Sequence, residues 1–362
     1  MTAIFPEIEA KVRAGERLGF ADGVNLFKSA DLLAIGALAD LVRRQKNGER
    51  AYFIVNRHIN HTNVCVNLCP LCAFGRSEDD PQVYTLTLAE IEAKALSCRG
   101  CGATEIHIVG GLNKNLGLNY FVEMLKRVKR ALPGALIQAF TAVEIDFMAR
   151  REGLTVQEVL TILREAGLDS LPGGGAEIFS PRVRQIICPR KISGERWLEV
   201  HETAHRLGIR TNATMLYGHV ETVEERVEHL LKLRELQDRT KGFLAFIPLA
   251  FHPQNTRLEH SVPGPTTGYE DLKVLAISRL LLDNFDHVKA FWIMIGPKLA
   301  QVSLSFGVDD LDGTVVEEKI AHDAGAQTEQ AISRGELVAM IRAAGRVPAE
   351  RDTLYNVIRE GS

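Results

Sequence analysis

Cys65-Val-Asn-Leu-Cys69-Pro-Leu-Cys72 places three thiols within eight positions, spaced by three and then two residues. Thiolates at that density are metal ligands by chemistry. A structural zinc site takes four ligands in paired C-x2-4-C units, and no second pair stands at a finger-like distance. Three thiolates on one tight loop suit an iron–sulfur cubane instead. A [4Fe–4S] cluster ordinarily takes four cysteines, so three leave one iron free for a substrate or cofactor. A partial zinc site or buried structural thiols are the blander alternatives. Cys98-Arg-Gly-Cys101 has redox-like spacing but falls at the end of a helical stretch, which points to structure, and Cys188 stands alone.

The 362 residues that must position this loop carry 43 Lys+Arg against 46 Asp+Glu, a net charge of −3, with 46% apolar residues. At roughly 100–200 residues per domain, that is two domains or one barrel with appendages. The near-neutral balance lacks the basic excess that nucleic-acid binding requires. No window approaches the ~18 apolar residues of a membrane span, and the first residues lack a basic and apolar leader pattern, so the reading is a cytoplasmic protein. Six cysteines are too few for a disulfide scaffold at this length.

Up to Gly48 the apolar residues Leu18, Phe20, Leu26, Phe27, Leu32, Ile35, Leu38 and Leu41 fall mostly on helical spacings, giving an N-terminal helical cap over 1–48. From Ala51 seven short apolar runs read as strands: Tyr52–Val55, Glu105–Val109, Ala135–Phe140, Leu168–Leu171, Ile209–Leu216, Leu244–Leu249 and Val288–Ile293. Between them lie helical segments at 87–99, 119–131, 156–166, 195–207, 223–238 and 269–284. Such alternation implies right-handed crossovers and a parallel sheet, either doubly wound or, as favoured here, a TIM-like βα barrel over 49–295. Polar and glycine-rich pieces follow nearly every strand, where barrel active sites assemble. A helical, loop-rich extension over 296–362 is expected to pack on the barrel, and Phe291-Trp292-Ile-Met294 reads as buried strand.

The C-x3-C-x2-C loop after the first strand of a repeated βα chain resembles the radical S-adenosylmethionine (SAM) superfamily. Val109-Gly110-Gly111 ends the second strand, where that superfamily has a Gly-Gly turn for the methionine part of SAM. Thr214-Met-Leu216-Tyr-Gly218-His-Val-Glu221 ends the fifth, resembling the G-x-I-x-G-x-x-E stretch beside the adenine, with Thr for the first Gly and Leu for Ile. Within the superfamily the chain is similar to the aminofutalosine synthases of menaquinone biosynthesis over nearly its whole length. His58-Ile-Asn60, Glu105-Ile-His107-Ile-Val, Pro172-Gly-Gly-Gly-Ala-Glu177, Asn212-Ala-Thr-Met-Leu-Tyr-Gly-His219 and Asp310-Leu-Asp-Gly-Thr314 are among the stretches that carry this. Dehypoxanthine futalosine cyclases and deazaflavin-forming synthases share the cysteine loop and the Pro-Gly-Gly-Gly-Ala-Glu run. Leu71 stands where an aromatic residue is usual, His61 where Tyr is usual, and Asn113-Lys114 where His-Pro is usual.

The resemblance implies a [4Fe–4S] cluster on Cys65, Cys69 and Cys72, reduced by an external donor such as flavodoxin or ferredoxin, that cleaves SAM to methionine and a 5′-deoxyadenosyl radical. The radical would add to the enol-ether double bond of 3-[(1-carboxyvinyl)oxy]benzoate, with rearrangement and decarboxylation giving aminofutalosine. The alternatives are the cyclase activity or, in another class, an iron–sulfur electron-transfer protein. Gly110 and Gly111 would permit close backbone approach to SAM, with Thr214, Leu216 and Gly218 beside its adenosyl part. Glu177 would accept hydrogen bonds from the SAM ribose or amino group. His107 alternates with Glu105 and Val109 on one strand face, and Asn212 shares a face with Thr214, so both are candidates for the barrel interior. Arg184 and Lys191 are the cations nominated for a substrate carboxylate, ahead of Arg57, His58 and His252.

Overall fold

The computed structural model describes residues 4–361. Its strands are β1 (Arg50–Ile54), β2 (Asn56–Asn60), β3 (Glu105–Val109), β4 (Leu136–Ala139), β5 (Ser170–Leu171), β6 (Arg210–Tyr217), β7 (Phe243–Ala250), β8 (His287–Val288), β9 (Asp310–Gly313), β10 (Val347–Arg351) and β11 (Val357–Glu360). β2 to β8 pair in chain order as one seven-stranded parallel sheet. Parallel neighbours require crossovers, and helices supply them. Four of these helices begin on Thr-x-x-Glu capping boxes, at Thr87/Glu90, Thr141/Glu144, Thr155/Glu158 and Thr222/Glu225, in which side chain and backbone satisfy each other's orphan donors. Gly153 and Gly167, at φ 68° and 117°, stop two of them in the left-handed conformation that glycine adopts without steric cost.

Strand alternation sorts the side chains. Ile106 and Ile108 of β3 point outward into a core with Met124, Leu125, Val159, Leu163, Trp197 and Leu230 from the helices, all fully buried. Burial of each such side chain contributes ~1.5–3 kcal/mol. The opposite face of the same strand carries Glu105 and His107. In the segment where a helical cap is expected, helices Phe20–Lys28 and Leu32–Asn47 bury Leu26, Ile35 and Leu38.

Three expectations are corrected. The apolar run Tyr52–Val55 is not the first barrel strand: β1 belongs to a second sheet of order β11-β10-β1-β9, and only Val55 separates it from β2, whose Asn-Arg-His-Ile-Asn composition hid it. Continuous apolarity marked a strand buried on both faces, whereas the barrel strand is polar because it faces a cavity. The run Val288–Ile293 is strand only as far as Val288, and Trp292–Ile295 is a helical turn, with the Trp292 indole N–H donating to the Gly313 carbonyl at 2.8 Å. The tail, expected to be helical and loop-rich, supplies three strands of the second sheet.

That tail also closes the barrel. Lys289 bridges to Asp310 and Arg57 to Val316, so the segment 310–316 fills the gap between β8 and β2. The Ala290 N–H donates to the Asp310 carbonyl at 2.8 Å and the His58 N–H to the Val316 carbonyl at 2.9 Å. Asn56 Oδ1 accepts from the Val315 N–H, and the Thr314 hydroxyl donates to the Asn56 carbonyl, each at 2.8 Å.

Candidate active site

A cavity of about 330 Å³ opens at the C-terminal ends of β2–β8, lined by the cysteine loop, the Gly110-Gly111 turn, the Pro172–Glu177 loop and inward residues of the strands. Cys65, Cys69 and Cys72 all line it and all are free thiols. Among the described residues no three His, Cys, Asp or Glu side chains converge closely enough to chelate a single ion. The donor set nonetheless fits a thiolate-bound cluster. The Gly75 N–H already donates to Cys72 Sγ at 3.3 Å, and a Cβ at Gly75 would meet Cys65 Cβ at 3.3 Å, so both cysteines crowd one glycine. Burial pushes the Cys69 thiol up to about 12, and metal ligation is the chemistry that would hold it as thiolate.

Gly111 is required by this packing. A Cβ there would lie 2.2 Å from the Val64 carbonyl oxygen and 3.1 Å from Cys65 Cβ. Gly110 faces the buried His61 ring, which a Cβ would meet at 2.4 Å. The expected Gly-Gly turn is thus wedged between the metal loop and a histidine. Glu144, the carboxylate of one capping box, also reaches this turn and lines the cavity.

Glu177 stands at φ 48°, a conformation rare outside glycine and concentrated at functional sites. Against a burial that opposes ionisation, an ion pair with Lys191 holds its carboxyl below the usual range. Lys191 is in turn held above its ordinary value, despite burial, by Glu177 and the neighbouring Cys69 and Cys188 thiols. Both residues line the cavity at its cysteine end. Thr214 and Leu216 line it from β6, the Thr214 hydroxyl donating to the Gly173 carbonyl at 2.6 Å.

Deeper in the barrel the expected His107 and Asn212 come together. His107 Nδ1 lies 3.2 Å from Gln138 Oε1, and Asn212 Nδ2 donates to the same oxygen at 3.4 Å. The His58 ring stacks on His107 with centroids 4.5 Å apart. Burial lowers both imidazoles, and Lys289 adds to the effect, so both are neutral at physiological pH. Lys289, Asp312 and Glu144 also line the cavity and were not among the candidates read from the sequence. The Thr-x-x-Glu spacing at Thr141, and a lysine interrupting an apolar run, were the available signals.

Two nominated residues are corrected. Arg184 is buried away from the cavity, with its guanidinium donating to the carbonyls of Ala176, Ile178, Gly175 and Ile192, which leaves no fork for a carboxylate. Gly218 is not among the cavity-lining residues. At φ 90° it forms a turn whose N–H donates to Glu221 Oε1 at 2.6 Å, while Arg226 and His219 pair with the same carboxylate. Of the weaker candidates, His58 and His252 line the cavity, whereas Arg57 pairs with Glu317 at 2.7 Å outside it.

A sequence model of the radical SAM superfamily matches residues 59–233, and one of the CofH/MqnC C-terminal region matches residues 240–361. The chain belongs to the radical SAM superfamily, and it is an enzyme. Enzymes of this superfamily use a [4Fe–4S] cluster and SAM. More particularly, the chain is 46% identical to an aminodeoxyfutalosine synthase of Thermus thermophilus, over 97% of this chain and 95% of that one, and 45% identical to one of Streptomyces coelicolor over 98% and 94%. It is 41% identical to a 5-amino-6-(D-ribitylamino)uracil–L-tyrosine 4-hydroxyphenyl transferase of Methanococcoides burtonii over 89% and 91%. Methylornithine synthase shares the fold at TM-score 0.76 and 20% identity, covering 94% of this chain and 97% of that one. The [FeFe]-hydrogenase maturase HydG does so at 0.77 and 17%, covering 96% and 76%. No described helix is long and apolar enough to cross a membrane.

Proposed function

We propose that the protein is an aminofutalosine synthase. It would join the adenosyl carbon of SAM to the vinyl carbon of 3-[(1-carboxyvinyl)oxy]benzoate, with rearrangement and decarboxylation, in menaquinone biosynthesis. The observation that supports this reading is the near-complete match to relatives named aminodeoxyfutalosine synthase, at higher identity and coverage than to the M. burtonii transferase. The cluster, held by Cys65, Cys69 and Cys72, would supply the electron that cleaves SAM. Gly110 and Gly111 would seat the methionine part, Glu177 would accept from its polar groups, and Thr214 and Leu216 would flank the adenosyl part. The enclosed barrel would exclude water and hold the two reacting carbons together, with His107 and Asn212 beside the substrate.

The test is product analysis by mass spectrometry after anaerobic reconstitution, with SAM labelled in its adenosyl part and a reductant such as flavodoxin or ferredoxin. With the enolpyruvyl benzoate, label should enter aminofutalosine while methionine is released in proportion. Label confined to free 5′-deoxyadenosine would remove the synthase reading and leave the superfamily untouched. Dehypoxanthine futalosine, and tyrosine with 5-amino-6-(D-ribitylamino)uracil, are run alongside for the cyclase and transferase alternatives.

A further inference from the structure

Two lysines, Lys191 and Lys289, are the only Lys or Arg among the described residues lining the cavity, and each is paired with a carboxylate. Lys191 is committed beside the cysteine loop. Lys289 lies in the polar floor, where its charge bears on both His58 and His107. His107 precedes the Gly110 turn by three residues, or roughly 10 Å of strand rise, which sets the depth of this floor below the cysteine end.

Lys289 is 5% exposed and donates to one acceptor among the described residues, Asp312 Oδ1 at 3.0 Å. A buried ammonium with three donors and one partner calls for further acceptors. Asp312 is held at φ 63° in the segment that closes the barrel, so backbone strain is spent on aiming this carboxylate inward. Asn212, which also lines the cavity, is 4% exposed and its Oδ1 is a buried acceptor without a partner. The unfilled donor capacity of Lys289 therefore belongs to a residue that lines the cavity.

We propose that Lys289 is the cation that binds the ring carboxylate of the substrate, with Asp312 as the positioning residue that fixes its ammonium. This deepens the synthase reading and rests on it. The terminal vinyl carbon must meet the adenosyl carbon near the cysteine loop, and the enolpyruvyl carboxylate, carried on the adjacent vinyl carbon, is two bonds from it. The ring carboxylate lies across the benzene ring and therefore points to the floor, where His58 and His107 are neutral and Lys289 is the one fixed cation.

The test is equilibrium binding by anaerobic titration calorimetry to cluster-loaded enzyme without reductant, so that no turnover occurs. The ligands are 3-[(1-carboxyvinyl)oxy]benzoate and its ring carboxamide. Wild type should prefer the acid by at least about tenfold, and Lys289→Met should abolish that preference while the carboxamide binds as before. Because Lys289→Met leaves Asp312 unpaired, the double variant Lys289→Met/Asp312→Asn, which buries no lone charge, must lose the preference too. Asp312→Asn alone should keep the preference with KM raised a few-fold and kcat retained. The proposal is overturned if wild type binds both ligands equally, or if the double variant still prefers the acid while wild type makes aminofutalosine. If wild type binds neither ligand, the synthase reading falls with it, a result distinguishable by the absence of product.

Discussion

Glu144 accepts a hydrogen bond from the Gly110 backbone N–H at 3.1 Å, linking the cap of the helix after β4 to the glycine turn after β3. The same carboxylate accepts from the Thr141 N–H at 2.7 Å and hydroxyl at 2.8 Å. Burial nevertheless dominates these donors and raises its pKa from 4.5 to about 7. A carboxyl whose folded pKa is raised is protonated in the folded state while the unfolded chain ionises. Its contribution to stability therefore falls as pH rises from about 4.5 to about 7. Over that window the difference in unfolding free energy between wild type and Glu144→Gln should shift against wild type by on the order of 2–3 kcal/mol. Urea denaturation of both proteins at pH 5, 6, 7 and 8 measures it, and a pH-independent difference would show that Glu144 is ionised throughout.

On the proposed assignment three thiolates would supply all the protein ligands of the cluster, which makes each indispensable. Changing Cys65, Cys69 or Cys72 to Ala should drop reconstituted iron from about four per chain towards zero. Cys98→Ala, Cys101→Ala and Cys188→Ala should retain it. Cys188 is the informative control because it is buried close enough to Cys69 for the two thiols to influence each other. Loss of iron from Cys188→Ala would mean a fourth protein ligand and no open iron for SAM.

The two turn glycines should fail differently. At Gly111 the added methyl group would strike the Val64 carbonyl, which is backbone and cannot yield without moving the cysteine loop. At Gly110 it would strike the His61 ring, whose two nitrogens are buried without partners, so trimming the ring sacrifices no hydrogen bond. Gly111→Ala should cost at least ~2 kcal/mol and lower iron content, and no change at His61 should rescue it. Gly110→Ala should be destabilised as well but recover in part when combined with His61→Ala. A thermal-melt double-mutant cycle separates the cases, and additivity at Gly110 and His61 would contradict the packing.

What was legible in the sequence was local. The cysteine loop announces itself by spacing, and the period of two on β3 and β6 correctly placed His107, Asn212 and Thr214 on inward faces, because a strand fixes side-chain direction from its own residues. Lys289 and Asp312 were not legible. They meet, 23 positions apart, because the segment 310–316 fills the gap between β8 and β2, a closure whose other side joins Arg57 to Val316 across 259 positions and that no short-range pattern encodes. Arg184 misled for the converse reason. Its residue type and its place after a glycine loop suit anion binding, but type says nothing of carbonyls already in contact.

Arg184 yields the sharpest contrast between holding a loop and holding a ligand. Its Nη1 donates to the Ala176 carbonyl at 2.6 Å and the Ile178 carbonyl at 3.3 Å, and its Nε to the Ile192 carbonyl at 3.1 Å. These bonds tie the strained segment around Glu177 to the approach of Lys191, so Arg184 positions that ion pair from behind. Arg184→Met would leave several buried carbonyls without donors, at a cost of about 2–4 kcal/mol by chemical denaturation. Loosening the Glu177 loop should also weaken SAM, read by calorimetry on the cluster-loaded enzyme. Affinity for the ring carboxylate, which depends on the separate floor at Lys289, should stay within about twofold of wild type. Loss of acid binding with stability intact would reverse the assignment and return Arg184 to the carboxylate role that its sequence position proposed.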